Sequence, residues 1–335
     1  MNFNKYIAVA AALAAGPALA GGIDRSGQGI GYLFESGNYA ELSYGNVTPS
    51  VKSVGDAFGN IAGSYGQTSL GMKLDMNSQL SFALGIDSPY GADVNYKALD
   101  FGAKLNSTAF TALARYKFTP NLSVHGGLYQ ATVGGTLNPA AGLPVGAVIT
   151  VKDSSATGYI IGAAYEKPEI AARVALTYFS GTNHSDATSA SAVNAPQAIN
   201  LDFQTGIAAD TLLFGGIRWA DWSTTVIKVG GANVVTYAND SMTYNIGVGR
   251  KFTDNFSGAF TVGYEAATGG TASALAPTDG YLSLGLGATY TRDNMKITAG
   301  VRSIRLGDAT TAGLPANAWS GNSAMAAGIK VSFTF

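Results

Sequence analysis

The chain has 335 residues, of which 47% are apolar and 12% charged, with a formal net charge of −1. The charged share is about half that of a soluble globular domain, which argues against an ordinary water-exposed surface, and the near-neutral balance argues against a nucleic-acid partner. Cysteine is absent, so disulfides, thiolate metal sites and cysteine nucleophiles are excluded.

In chain order, the first expected element is an export signal over residues 1–20. Lys5 gives a positive start, Ile7 to Ala14 form an apolar stretch, Pro17 breaks it, and Ala18-Leu19-Ala20 supplies a small-x-small cleavage pattern. The mature chain is therefore expected to start at Gly21. After that point no apolar run reaches the roughly 18 residues of a candidate membrane helix. The 44 Gly, 17 Tyr and 15 Phe instead suit a sheet whose outer face meets lipid between aromatic belts.

Residues 21–38 come next. Ile23, Ile30, Tyr32, Leu33 and Phe34 punctuate a Gly-rich stretch that ends at Asn38. A tail that stays in water rarely carries this much apolar surface. The segment is expected to fold back as a short plug, or hatch, in the lumen of a barrel; the bland alternative is a disordered tail.

Residues 39–335 read as an all-β transmembrane antiparallel β-barrel. Period-2 alternation recurs throughout. Leu70, Met72, Leu74 and Met76 oppose Lys73 and Asp75, and Phe110, Ala112, Ala114 and Tyr116 oppose Arg115 and Lys117. Ala172, Val174, Leu176 and Tyr178 oppose Arg173, and Ile297, Ala299 and Val301 oppose Lys296 and Arg302. Tight turns are expected at Asn77-Ser78, Thr119-Pro120, Lys167-Pro168-Glu169, Ala209-Asp210, Thr253-Asp254-Asn255 and Arg292-Asp293-Asn294. Longer connections lie near 48–67, 87–106, 131–155, 180–197, 223–240, 267–279 and 307–322. Short turns alternating with long loops are the barrel pattern, and six of one with seven of the other give 14 strands. The last strand carries Ile329, Val331, Phe333 and the terminal Phe335 on one face. This resembles the C-terminal signature by which outer-membrane barrels engage the barrel-assembly machinery.

Several stretches then resemble the FadL/TodX-type family of outer-membrane long-chain fatty acid and hydrocarbon transporters. They are Asp87-Ser88-Pro89-Tyr90-Gly91 through Asn95-Tyr96, Ala195-Pro196-Gln197-Ala198-Ile199-Asn200-Leu201, Arg218-Trp219-Ala220-Asp221-Trp222-Ser223, and Tyr244-Asn245-Ile246-Gly247 through Gly263-Tyr264. The resemblance implies a 14-stranded barrel with an N-terminal hatch and passive uptake of hydrophobic compounds. Where the family carries Asn-Pro-Ala at the hatch, this chain has Asn38-Tyr39-Ala40. The expectations that follow are a monomer in the outer membrane, contacts with its lipids, a fatty acid or hydrocarbon as small-molecule partner, and no cofactor. The alternatives are a general or solute-specific water-filled porin and a barrel with a purely structural or adhesive role.

The strand register points Lys73, Arg115, Lys117, Arg173, Arg218, Lys251, Lys296, Arg302 and Lys330 inward with Glu41, Asp75, Glu166, Asp202 and Glu265. Arginine holds a carboxylate with two hydrogen bonds. Arg218 leads the ligand-binding candidates because Leu212, Phe214 and Trp222 share its face; Arg115 and Arg173 complete the set. The bland reading is that such charges pair with one another and brace the wall. Apolar residues in the third loop (Leu143, Pro144, Val145, Ala147, Val148, Ile149) and the fifth (Val226, Ile227, Val229, Val234, Val235, Tyr237) suit capture of a greasy substrate, or else hairpins that prolong the strand pairs. Catalysis is not expected. His184 reads as part of a solvated loop. Ser123 and His125 share a strand face, but no third group orients them.

Overall fold

The computed structural model describes residues 22–138, 148–311 and 318–335, so the export signal and the centre of the third loop lie outside the described residues. Fourteen long strands form one closed antiparallel barrel. They are β1 (Tyr39–Ser50), β2 (Tyr65–Asp75), β3 (Leu80–Asp87), β4 (Phe101–Lys117), β5 (Leu122–Asn138), β6 (Ile149–Lys167) and β7 (Ala172–Phe179), followed by β8 (Ala198–Ala208), β9 (Thr211–Ala220), β10 (Ser241–Lys251), β11 (Phe256–Glu265), β12 (Tyr281–Arg292), β13 (Met295–Leu306) and β14 (Ser323–Thr334). Closure comes from β1 pairing with β14 in unbroken register, Tyr39↔Thr334 through Ser50↔Ser323.

Turn chemistry sets the strand ends. At one end of the barrel the connections are short, and side chains satisfy their backbone donors. Asn77 Oδ1 accepts from the Gln79 and Leu80 amides at 2.8 Å each. Thr119 Oγ1 serves Asn121 and Leu122 at 3.2 and 2.9 Å. Asp210 and Asp293 take the left-handed conformation at φ 56° and 54°, which aspartate tolerates better than most residues. All six expected turns are present.

Alternation turns one face of every strand outward. Leu42, Leu70, Phe82, Phe110, Leu128, Ile161, Leu176, Leu286 and Ile329 stand exposed on the exterior, as a wall facing hydrocarbon requires. Tyr116, Phe118, Tyr165, Phe256, Tyr290 and Phe333 ring the short-turn end, and Tyr44, Tyr159, Tyr244 and Tyr264 ring the other, which is the aromatic belting of a membrane barrel. No helix among the described residues is long and apolar enough to cross a membrane.

The third strand pair is longer than expected. β5 and β6 stay paired out to Leu137↔Ile149, and β4 gains a further partner, residues 91–96, through Gly91↔Asn106 to Tyr96↔Phe101. The Gly/Ser/Thr composition there reads as loop, yet apart from a bulge at Lys152 and Asp153 the ladder continues, and backbone pairing outweighs weak strand propensity. The fifth loop does not prolong its barrel strands. Residues 226–229 and 232–236 form a separate hairpin, which joins 191–195 and 182–186 in a four-stranded sheet over the long-loop end. Ile227, Val229, Val235 and Tyr237 are buried in it, so their apolar character has a packing explanation.

His184 departs from the expectation of a solvated loop. It is 3% exposed on the 182–186 strand. Its Nδ1 is 2.8 Å from the Ser154 carbonyl, so Nδ1 donates, and Thr182 Oγ1 lies 2.9 Å from Nε2. Burial holds its pKa below the usual histidine range. On the same hairpin the exposed Asp186 carboxylate is drawn down to about 2, chiefly by the Ser189 hydroxyl.

Candidate functional site

The inward faces of the strands do not enclose an empty pore. Residues 22–38 run against them, and Ile23, Arg25, Gln28, Ile30, Tyr32 and Leu33 are all buried. The segment enters beside the break between β3 and the 91–96 strand. Pro89, which has no amide to give a ladder, accepts from the Arg25 amide at 2.7 Å, and the Gly91 amide donates to the Ile23 carbonyl at 2.9 Å. Arg25 then lays its guanidinium 4.0 Å from the centroid of Tyr65.

Arg218, on the inward face of β9, is the principal tether. Its Nε donates to Asp24 at 2.6 Å, Nη2 to Gln28 at 3.1 Å and Nη1 to Asn200 at 3.0 Å. Asn200 in turn donates to the Gly27 carbonyl at 2.9 Å. Ser26 donates to Asp87 at the end of β3. Below this level a 3₁₀ turn, Gly31–Phe34, presses Tyr32 against β2 and β3. A Cβ built at Gly71 would meet the Tyr32 ring at 2.7 Å, and one at Gly85 would overlap its hydroxyl. These two glycines are what let the ring lie on the wall.

Toward the short-turn end, Phe34 sits between two cations. The Arg115 and Arg173 guanidinium carbons lie 4.7 and 4.8 Å from its ring centroid, and His125 meets it edge-on at 5.4 Å. Arg115 also bonds Ser123 at 3.0 Å and Glu166. Nearby, Lys73 pairs with Asp75 at 2.8 Å and Lys330 with Glu41 at 2.9 Å. Among the described residues no carboxylate lies within ion-pair distance of Arg173, and its Nε has no hydrogen-bond partner. Asn38 closes the segment: its Oδ1 accepts from the Asp75 amide and its carbonyl from the Phe335 amide, both at 2.9 Å.

The expected ligand-binding residues are thus only partly brought together. Arg218 is engaged by Asp24 and Gln28 of the N-terminal segment and by Asn200 of β8. Leu212 and Phe214 are buried in a separate small cluster with Ala259, nearer the short-turn end. Trp222 is on the turn after β9 rather than on the strand, 1% exposed, edge-on to Tyr90 at 5.7 Å and tilted against Tyr237 at 5.1 Å. Ser123 and His125 do not bond one another: Ser123 takes Arg115, and His125 Nε2 lies 2.9 Å from the Thr177 hydroxyl.

A small cavity of about 40 Å³ remains beside the segment, lined by Ile30, Tyr32 and Phe179 together with the polar Gln28, Glu41, Ser69, Asp87 and Thr111. Leu70 and Ile86, which point outward, also line it. The pairing of β2 with β3 stops at Leu70↔Ile86, whereas β2 continues to Tyr65 against β1. The cavity therefore reaches the wall where its ladder is incomplete. Sequence reasoning missed this site, although Asp87-Ser88-Pro89 marks the end of β3.

The class that these features define is a 14-stranded transmembrane barrel whose inner wall is packed by residues 22–38 of the same chain. No family model and no curated protein matches the sequence. Among solved structures it is similar to a FadL homologue of Pseudomonas aeruginosa, at TM-score 0.73 and 15% identity over 91% of this chain and 92% of that one. The toluene transporter TodX of P. putida aligns at TM-score 0.68 and 12% identity over 91% of each chain. The toluene transporter TbuX of Ralstonia pickettii aligns at 0.65 and 15%, also over 91% of each. At these identities the shared property is the fold, and it is the FadL/TodX-type fold that the sequence resemblance led us to expect.

Proposed function

We propose that the protein is an outer-membrane channel for passive uptake of hydrophobic compounds, long-chain fatty acids or similar apolar molecules. Residues 1–20 direct export, residues 21–38 act as the hatch, and residues 39–335 form the barrel, with short turns in the periplasm and long loops outside. The terminal strand ending in Phe335 serves recognition by the assembly machinery, and the barrel works as a monomer among outer-membrane lipids.

The observation that carries this reading is the cavity between Ile30, Tyr32 and the wall, which extends to the outward-facing Leu70 and Ile86. An apolar ligand takes this place, beside a wall that is already incomplete, once the hatch loosens and widens the cavity. Arg218 governs that step, because a ligand carboxylate reaches it only after its bonds to Asp24 and Gln28 yield. Leu212, Phe214 and Trp222 bound the rest of the route. No energy source is visible, so movement follows the gradient. The toluene transporters of similar fold support a hydrophobic cargo.

The test is made on purified protein in planar bilayers and by ligand binding. Saturable binding of an apolar compound, with little steady ion conductance, supports the channel. Large open conductance without binding supports a water-filled porin instead.

A further inference from the structure

We propose that the hairpin of residues 226–236 is a lid over the long-loop end, latched by the N-terminal segment through Trp222, so that displacing the segment also frees the outer mouth of the barrel. This rests on the channel reading above and adds a second, coupled gate to it.

The hairpin belongs to a sheet separate from the barrel ladder, and its strand 232–236 is the edge of that sheet. Its tip is held by the Gly230 and Gly231 amides, which donate to the Ser189 and Ala190 carbonyls at 3.1 and 2.9 Å. Its base is held by aromatic packing. Trp222 opens the 3₁₀ turn Trp222–Thr224 that leads up from β9, and Tyr237 stands on the way down to β10. The two rings lie 5.1 Å apart. Asp240 ties the same two legs together, accepting from the Trp219 indole and the Ser223 amide, both at 3.1 Å.

Trp222 has a second neighbour, the start of the segment. A Cβ built at Gly22 would meet the indole at Cε2, Nε1 and Cδ2, at 2.4, 2.6 and 2.8 Å, so the main chain of residue 22 lies directly on the ring. Tyr90, beside the break after β3, meets the indole edge-on at 5.7 Å. One side chain thus carries both the segment and the returning leg of the lid. Two elements that share a packed side chain bias each other's position, and by linkage the effect is reciprocal.

The junction is also poised to open. Among the described residues Trp222 Nε1, Thr225 Oγ1 and Tyr237 Oη are buried with no hydrogen-bond partner. A buried polar group left unpaired favours any state that exposes it to water. Beside Tyr237 a cavity of about 20 Å³, lined also by Asn239, Thr278 and Asp279, leaves that residue without packing partners on one side.

The test measures hydrogen exchange of residues 226–237 and protease cleavage within 22–38 on the purified barrel in nanodiscs. No ligand is added, so the result is separate from the channel reading, which ligand binding decides. Gly22→Val alters only the segment and should raise exchange of the hairpin about tenfold. Tyr237→Ala alters only the lid and should raise cleavage of the segment about tenfold. Barrel strands should keep their protection in both. Tyr237→Phe keeps the ring and removes an unpaired hydroxyl, so it reads out even if the other two variants fail to assemble; hairpin exchange should fall roughly fivefold. An unchanged hairpin in Gly22→Val, an unchanged segment in Tyr237→Ala, or equal or faster hairpin exchange in Tyr237→Phe would overturn the latch.

Discussion

The barrel wall and the segment inside it are held by different physics. The wall is a closed ladder in which every strand pairs on both sides, so breaking the pairing, which stops short between β2 and β3 beyond Leu70↔Ile86, exposes backbone groups to hydrocarbon at several kcal/mol apiece. The 22–38 segment is held at separate points: Arg218 on Asp24 and Gln28, Ser26 on Asp87, Tyr32 on two glycines, Phe34 between two arginines. Each point is worth a few kcal/mol at most. The segment can therefore move without breaking the ladder of the wall, as the proposed channel requires.

The sharpest way to break this contrast is to overfill the place where the segment meets the wall. Gly85→Leu puts a side chain where the Tyr32 hydroxyl lies. The substituted barrel should still migrate as a folded, heat-modifiable species on gels, yet pass ions freely in planar bilayers, because only the segment has moved. Loss of the folded species would show that segment and wall are one cooperative unit.

Arg218→Ala should have the next largest effect. It removes charge-assisted bonds and strands a partly buried Asp24, a loss of about 2–3 kcal/mol in docking. Protease cleavage within 22–38 should rise roughly 30- to 150-fold at unchanged barrel stability. Phe34→Ala loses two cation–π contacts, about 1–2 kcal/mol together, so the same assay should show a roughly five- to thirtyfold rise. An order of effects reversed between these two would place the principal tether at the short-turn end.

The smallest effect lies outside both regions. His184 is buried neutral with its pKa depressed, whereas an unfolded histidine titrates near 6.5. The hairpin containing it is therefore fully stable above about pH 6.5, and loses stability as the pH falls below that value, since the unfolded form then binds the extra proton. Exchange protection of residues 182–195, corrected for intrinsic rates, should fall between pH 7.5 and pH 5, and barrel strands should not follow. Protection independent of pH would mean that His184 stays unprotonated in both states.

The wall was legible in the sequence because two local signals recur along it: period-2 alternation such as Leu70, Met72 and Leu74, and turn residues such as Asn77 and Asp293 at the strand ends. The apolar excess of Ile23, Ile30 and Phe34 also marked the segment. Its partners were not legible, because Asp24 and Arg218 meet from 194 positions apart and no local pattern carries that information. For the same reason Arg218 read as a free cation beside Leu212 and Phe214, when the third dimension gives it Asp24, Gln28 and Asn200. His184 was hidden by its Ser, Asn and Asp neighbours, though Thr182 and His184 alternate with Asn183 and Ser185 as a strand requires.

The central claim is that uptake requires the segment to leave the wall, and a reversible lock tests it most directly. The chain has no cysteine, so a single engineered pair, Ser26→Cys with Asp87→Cys, would form an unambiguous bridge where the two side chains now touch. Oxidised protein should lose most of its uptake of a hydrophobic compound into proteoliposomes, and reductant should restore it. Equal uptake by the oxidised and reduced forms, with bridge formation confirmed by mass spectrometry, would contradict the account.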